Sequence, residues 1–141
     1  MSAESVRTTL HDYLDALIAR GDYGRFFAEE VTFEVMGTDQ KATGAAGVEE
    51  MIRWLHEIAF DAHPEGGRIL SDDLGGAVEV VFAGIHTGEF AGIDPRGAAV
   101  RVPYSVFYDV VDDRITALRG YLPMDQLVRQ IQPAPATTSA A

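Results

Sequence analysis

Apolar residues recur at helical spacing near the start of the chain. Val6, Leu10, Tyr13, Leu14, Leu17 and Ile18 fall between Glu4, Arg7, Asp12 and Asp15, and Gly21 follows as a stop signal, which predicts an amphipathic helix. Asp22 opens a short helical piece reaching Phe27, and Val31 to Val35 then alternates in the manner of a strand. Gly37 to Gly44 reads as a loop. From Gly47, the residues Val48, Met51, Ile52, Leu55, Ile58 and Ala59 form another apolar stripe, predicting a helix that ends before His63-Pro64 and turns Glu49, Glu50, Arg53, His56 and Glu57 to solvent.

Beyond that helix the pattern changes to β-branched and aromatic runs. Arg68 to Ser71, Ala77 to Thr87, Val100 to Val111 and Arg114 to Leu122 are predicted strands, separated by Gly, Asp and Pro clusters. Asp94-Pro95-Arg96-Gly97 has turn chemistry and Asp112-Asp113 suits a tighter reversal, so the last three strands form an antiparallel meander. Met124 to Ile131 adds a closing helical piece. Helices first and a mostly antiparallel sheet afterwards define one α+β domain over residues 1–131, followed by a flexible Pro/Ala-rich tail over 132–141.

Alternation within the strands sorts their side chains. Val78, Val80, Phe82, Gly84 and His86 are read as inward, as are Val102, Tyr104, Val106, Tyr108 and Val110. In the last strand, Ala117, Arg119 and Tyr121 oppose Thr116, Leu118, Gly120 and Leu122, and periodicity does not choose between the two sets. Both faces of the long central strand are apolar, which predicts a lined cavity on one side and a second copy of the chain on the other, a homodimer through the outer sheet face.

Composition narrows the function. With 47% hydrophobic residues in 141, the chain can bury a full core, and the absence of Cys removes disulfide scaffolds, thiolate metal sites and cysteine nucleophiles. A formal charge of -11, from 22 acidic against 11 basic residues, opposes a nucleic-acid partner. Neither a signal-like start nor a run of about 20 apolar residues is present, so a cytoplasmic protein away from membranes is expected. The His residues show neither metal-ligand spacing nor close acidic pairing, so no metal is expected.

The segment Gly84-Ile85-His86-Thr87-Gly88-Glu89-Phe90, with Gly92 and Pro95-Arg96-Gly97 after it, then Val100-Arg101-Val102-Pro103-Tyr104 and Asp113 to Arg119, resembles the SnoaL-like polyketide cyclase or ester cyclase family. The resemblance implies a cone-shaped α+β barrel of the nuclear-transport-factor-like kind, with a bent sheet covered by three helices. It also implies ring closure or isomerisation of a small hydrophobic carbonyl compound, without metal or cofactor, by a carboxylate acid/base. The family's acid after the last strand corresponds to Pro123 here, with Asp125 the nearest carboxylate, and the family's strand Trp corresponds to Arg119.

Candidate catalytic residues are therefore His86, Asp125, Arg119 and Tyr104. An imidazole at His86 can exchange a proton, or it can tie down the loop that follows. Asp125 is an acid near the cone mouth or a helix cap. Arg119, in an apolar strand, needs a carboxylate such as Asp109 or Asp125, and either polarises a substrate oxygen or makes an outward ion pair. Tyr104 is a donor to a developing oxyanion. Candidate substrate-binding residues are Tyr13, Phe33, Trp54, Phe60, Asp61, His63, Phe82, Tyr108 and Tyr121. Of the aromatic-wall group Tyr13, Phe33, Met36, Trp54, Phe60 and Tyr121, about half are expected to touch a ligand. The other readings are a non-catalytic binder of a hydrophobic metabolite and, as a minor one, an epoxide hydrolase-like Asp-Arg-Asp site.

Overall fold

A computed structural model describes residues 2–133. The tail expected over 132–141 lies outside them except for Gln132 and Pro133.

Helix α1 (Ala3–Ile18) starts at Ser2, whose hydroxyl accepts from the Ser5 amide while the Ser5 hydroxyl accepts from the Ser2 amide. It buries Val6, Leu10, Tyr13, Leu14 and Leu17. A single 3-10 turn (Tyr23–Phe26) leads into strand β1 (Phe27–Val35), which starts earlier than its alternation suggested. The expected loop after it holds a short edge strand, β2 (Lys41–Thr43). Helix α2 (Ala45–Arg53) then widens into a π-helical turn (Trp54–Ala59), and the chain passes directly into β3 (Phe60–Ser71).

Strand β3 corrects the expectation of a helix end followed by loop up to Arg68. Proline lacks an N–H for the ladder and is excluded from a central strand. Here β3 is the outermost strand of the sheet, so Pro64 costs no second ladder, and a bulge between Glu65 and Arg68 absorbs Gly66 and Gly67. Strands β4 (Gly75–His86), β5 (Ala99–Val111) and β6 (Arg114–Tyr121) follow as the antiparallel meander read from the sequence. Asp112 and Asp113 take left-handed conformations in the β5–β6 turn, which aspartate tolerates. The other reversal falls at Phe90–Ile93 rather than 94–97, with Ala91 and Gly92 at positive φ.

One mixed sheet results, in the order β2-β1-β6-β5-β4-β3, with β1 parallel to β6. Helix α3 (Met124–Ile131) closes the domain beside β5. Its Gln130 side chain donates to the Arg101 carbonyl at 3.0 Å and accepts from the Arg101 amide at 2.8 Å, standing in for a neighbouring strand where β5 outruns β6. This is the α+β cone architecture, three α-helices over a bent sheet. No helix among the described residues is long and apolar enough to cross a membrane.

Two apolar clusters form the interior. One gathers α1, β1, α2 and the far halves of β4 to β6; the other gathers Phe60, Phe82, Phe90, Val100, Val102, Leu127 and Ile131. Tyr104 packs against both.

Candidate functional site

Between the two clusters lies a cavity of about 240 Å³. Tyr13 and Leu17 of α1, Phe33 and Val35 of β1, and Met51 and Ile52 of α2 line one part; Phe82, Tyr104, Val106, Tyr108 and Leu118 supply the sheet wall. Trp54, Leu55, Phe90, Ala91, Leu122 and Met124 complete it, with Gln40 the one side-chain amide. The inward sets read for β4 and β5 hold: Val78, Val80, Phe82 and His86 are buried, as are Val102, Val106, Tyr108 and Val110. No Asp, Glu, Lys or Arg lines the cavity among the described residues.

Three phenols give this apolar space its polarity. Tyr13, Tyr104 and Tyr108 all line it, the rings of Tyr13 and Tyr108 meeting edge to face at 5.7 Å. None of the three hydroxyls bonds to another described residue, so the cavity's contents are what can satisfy them. Burial pushes all three phenols well up from their ordinary range, keeping them protonated donors.

Beside the phenols and Gln40 stands His56, which corrects its assignment to solvent. Its side chain borders the cavity and is 8% exposed, whereas Ile58, expected inward, is 62% exposed. The π-turn explains the exchange. Its i→i+5 bonding widens the turn, bringing His56 beneath Ile52 and swinging Ile58 outward. The His56 Nδ1–H donates to the Ile52 carbonyl at 2.8 Å, which leaves the lone pair on Nε2. That Nε2 is buried without a partner, with Phe82 packed edge-on at 5.3 Å. Burial lowers the imidazole's pKa below its ordinary value, opposed by the Ile52 carbonyl.

The His86-Thr87-Gly88 motif supports this turn from outside the cavity. The Thr87 and Gly88 amides both donate to the Ala59 carbonyl at 3.0 Å, and the Thr87 hydroxyl donates to the Ile58 carbonyl at 3.0 Å. Arg20 donates to the His56 carbonyl at 3.3 Å. A side chain at position 88 would meet the Ile58 carbonyl oxygen at 2.5 Å, so the approach requires glycine. His86 itself is fully buried against Phe60, with neither ring nitrogen paired, and does not line the cavity.

The remaining candidates separate clearly. Tyr13, Phe33, Trp54, Phe82, Tyr104 and Tyr108 are brought together around the cavity. Phe60 lies behind Phe82, their rings 5.3 Å apart. Half of the expected aromatic wall, Tyr13, Phe33 and Trp54, lines the space, while Met36 and Tyr121 border a shallow outer depression instead. Asp61 is on the surface, accepting from Arg20 at 2.6 Å, and His63 is outside near Glu65 at 3.6 Å.

Asp125 sits exposed in the first turn of α3, paired with Arg129 at 3.1 Å, and the cap position belongs to Pro123. Arg119 faces out of the sheet and forks onto Asp109 through two 3.0 Å bonds. The Asp-Arg-Asp arrangement of the minor reading therefore does not converge: its first pair is on the outer face and Asp125 is on a helix surface. Tyr121 also faces outward, its ring 5.7 Å from Phe107. One expectation about histidines is corrected too, since His11 lies 3.6 Å from Asp12 and 3.5 Å from Asp15 on the exposed side of α1.

Sequence reasoning passed over His56 and the hydrophobic lining from Met51, Leu55, Phe90, Leu122 and Met124. Spacing alone carries no signal for His56, since in unbroken helical phase it and Ile58 stand at opposite edges of the apolar stripe.

Comparison with known proteins agrees with this architecture. A candidate polyketide cyclase from Xanthomonas campestris pv. campestris superposes with a TM-score of 0.84 at 18% identity, over 92% of this chain and 98% of that one. A phenazine biosynthesis-related protein from Pseudomonas aeruginosa gives 0.74 at 17% identity, over 97% and 92%. A candidate ketosteroid isomerase from Kribbella flavida gives 0.66 at 22% identity, over 99% and 92%. At such identities the likeness is one of fold. No curated protein matches the chain. The SnoaL-like polyketide cyclase profile, however, matches residues 10–131, and the chain belongs to that family.

Proposed function

We propose that this protein is a cofactor-independent cyclase or isomerase that moves a proton within a small, neutral, hydrophobic carbonyl compound of polyketide-like character. The observation that carries the reading is the trio of unpaired phenols, Tyr13, Tyr104 and Tyr108, inside an apolar cavity. Protonated donors in a water-poor space stabilise the negative oxygen of an enolate far more than water does. A cavity of about 240 Å³ exceeds the roughly 150 Å³ that houses benzene, so a one- or two-ring guest suits it. Family membership supports ring closure or isomerisation as the reaction class.

The absence of charged lining makes a prediction. Trp54, the single Trp, stacks on Phe90 in the cavity wall at 5.9 Å and reports occupancy by fluorescence. A bicyclic ketone such as 2-tetralone should quench it at least about tenfold more tightly than a bicyclic carboxylate of equal size, because the anion meets no cation there. The protein should also accelerate exchange of the ketone's α-hydrogens in D2O. Tighter carboxylate binding, or no exchange, would count against the reading. One observation favours the second reading, a binder that leaves its guest unchanged: no carboxylate reaches the cavity among the described residues. Binding without exchange identifies that case.

A homodimer through the outer sheet face is part of the proposal. Phe107 and Tyr121 are each 46% exposed there, in ring contact with one another. Their apolar surface calls for a partner, and a second copy of the same face supplies one. Phe107→Glu should therefore sediment as a monomer at concentrations where the natural chain sediments as a dimer.

A further inference from the structure

We propose that His56 is the catalytic base of this site, taking the proton from carbon through Nε2 and returning it through the same atom. This rests on the proton-transfer reading above and assigns the group that the family's carboxylate would otherwise supply.

Five observations converge on it. His56 borders the cavity, and no carboxylate does among the described residues. Its tautomer is set: the Ile52 carbonyl only accepts, so Nδ1 carries the hydrogen and Nε2 holds the lone pair. Nε2 is buried with no hydrogen-bond partner, an unmet acceptor covered within the wall of the space. Phe82 lies between His56 and Tyr104, packing edge-on with both at 5.3 and 6.3 Å, so base and phenol flank one wall. The π-turn holding His56 is clamped by Thr87, Gly88 and Arg20, and π-turns recur at functional sites.

The step balances without an external reagent. Nε2 takes a hydrogen from the carbon beside the carbonyl; the C–H electron pair becomes the enolate double bond, and the carbonyl π pair moves to oxygen, where a phenol donates. The imidazolium keeps its Nδ1–H on the Ile52 carbonyl and is balanced by the enolate's charge. In isomerisation Nε2–H returns the proton to another carbon of the extended enolate. In ring closure the enolate carbon attacks a second carbonyl, and Nε2–H protonates the resulting alkoxide.

Since the base acts when neutral, activity should be full at neutral pH and fall on acidification through a pKa below the ordinary histidine value. Burial is the main cause of that lowering; among the ionisable groups whose charge reaches the ring, Arg20 and His63 also hold the pKa down and Glu57 raises it.

The test uses the full chain and 2-tetralone. His56→Asn retains a donor for the Ile52 carbonyl but removes Nε2. It should quench Trp54 within about threefold of the natural protein while exchanging α-hydrogens at least about 100-fold more slowly. Nitrogen NMR of the unmodified protein, which needs no variant, should show Nδ1 protonated and Nε2 bare at neutral pH, with Nε2 moving when the ketone binds. Exchange by His56→Asn at the natural rate, or a resident proton on Nε2, overturns the assignment to His56 alone. Failure of the natural protein to exchange the ketone overturns the underlying reading instead.

Discussion

Phe82→Ala is expected to cost about 3–5 kcal/mol of folding free energy, the largest effect of any single truncation around the site. Phe82 is 1% exposed and meets three rings edge to face: His56 and Phe60 at 5.3 Å and Tyr104 at 6.3 Å. Its removal deletes those contacts and enlarges a space the backbone cannot fill, because β4 is fixed by ladders on both sides. A domain of this size commonly has only about 5–15 kcal/mol in total. Urea unfolding should show the midpoint falling steeply, with Phe82→Leu recovering much of it. A loss under about 1 kcal/mol would mean that Phe82 borders space rather than fills it.

The second large effect is on rate. Tyr13→Phe, Tyr104→Phe and Tyr108→Phe together should lower kcat for ketone exchange by about 10²–10³-fold, the amount lost with an oxyanion donor. Stability should change by less than about 1 kcal/mol, since no described residue bonds to these hydroxyls and their loss leaves no protein acceptor unpaired. Single variants identify which hydroxyl meets the oxygen. A triple variant with natural kcat would remove the phenols from the chemistry and return the cavity to simple binding.

These expectations show which parts of the molecule are written locally. The facing of β4 and β5 was legible because alternation is strict and each strand keeps a single register along β4–β5. The facing of β6 was not, because Ala117, Arg119 and Tyr121 mix a small, a charged and an aromatic residue and so have no uniform character; Asp109 in the neighbouring strand receives Arg119 on the outer side. Most of β3 was hidden by Pro64, Gly66 and Gly67, residues that exclude a central strand but not an outermost one. The aromatic lining was half visible in spacing alone. His56 was missed because helical phase was carried unchanged past Arg53, whereas the turn widens there and exchanges the roles of His56 and Ile58.

The cavity's chemistry thus depends on a helix that does not finish as one. Any helix ending at Ala59 leaves its last carbonyls without an internal partner, and here those of His56, Ile58 and Ala59 are taken by Arg20, Thr87 and Gly88.

The bulged border at β3 has a separate meaning for life in a crowded solution. A regular outermost strand would offer its free amides and carbonyls as a template on which another chain could add, and fibrillar growth could follow. Pro64 withholds one amide, and the kink at Gly66-Gly67 between Glu65 and Arg68 breaks the repeat needed for templated addition. Open-ended stacking along this border is thereby opposed.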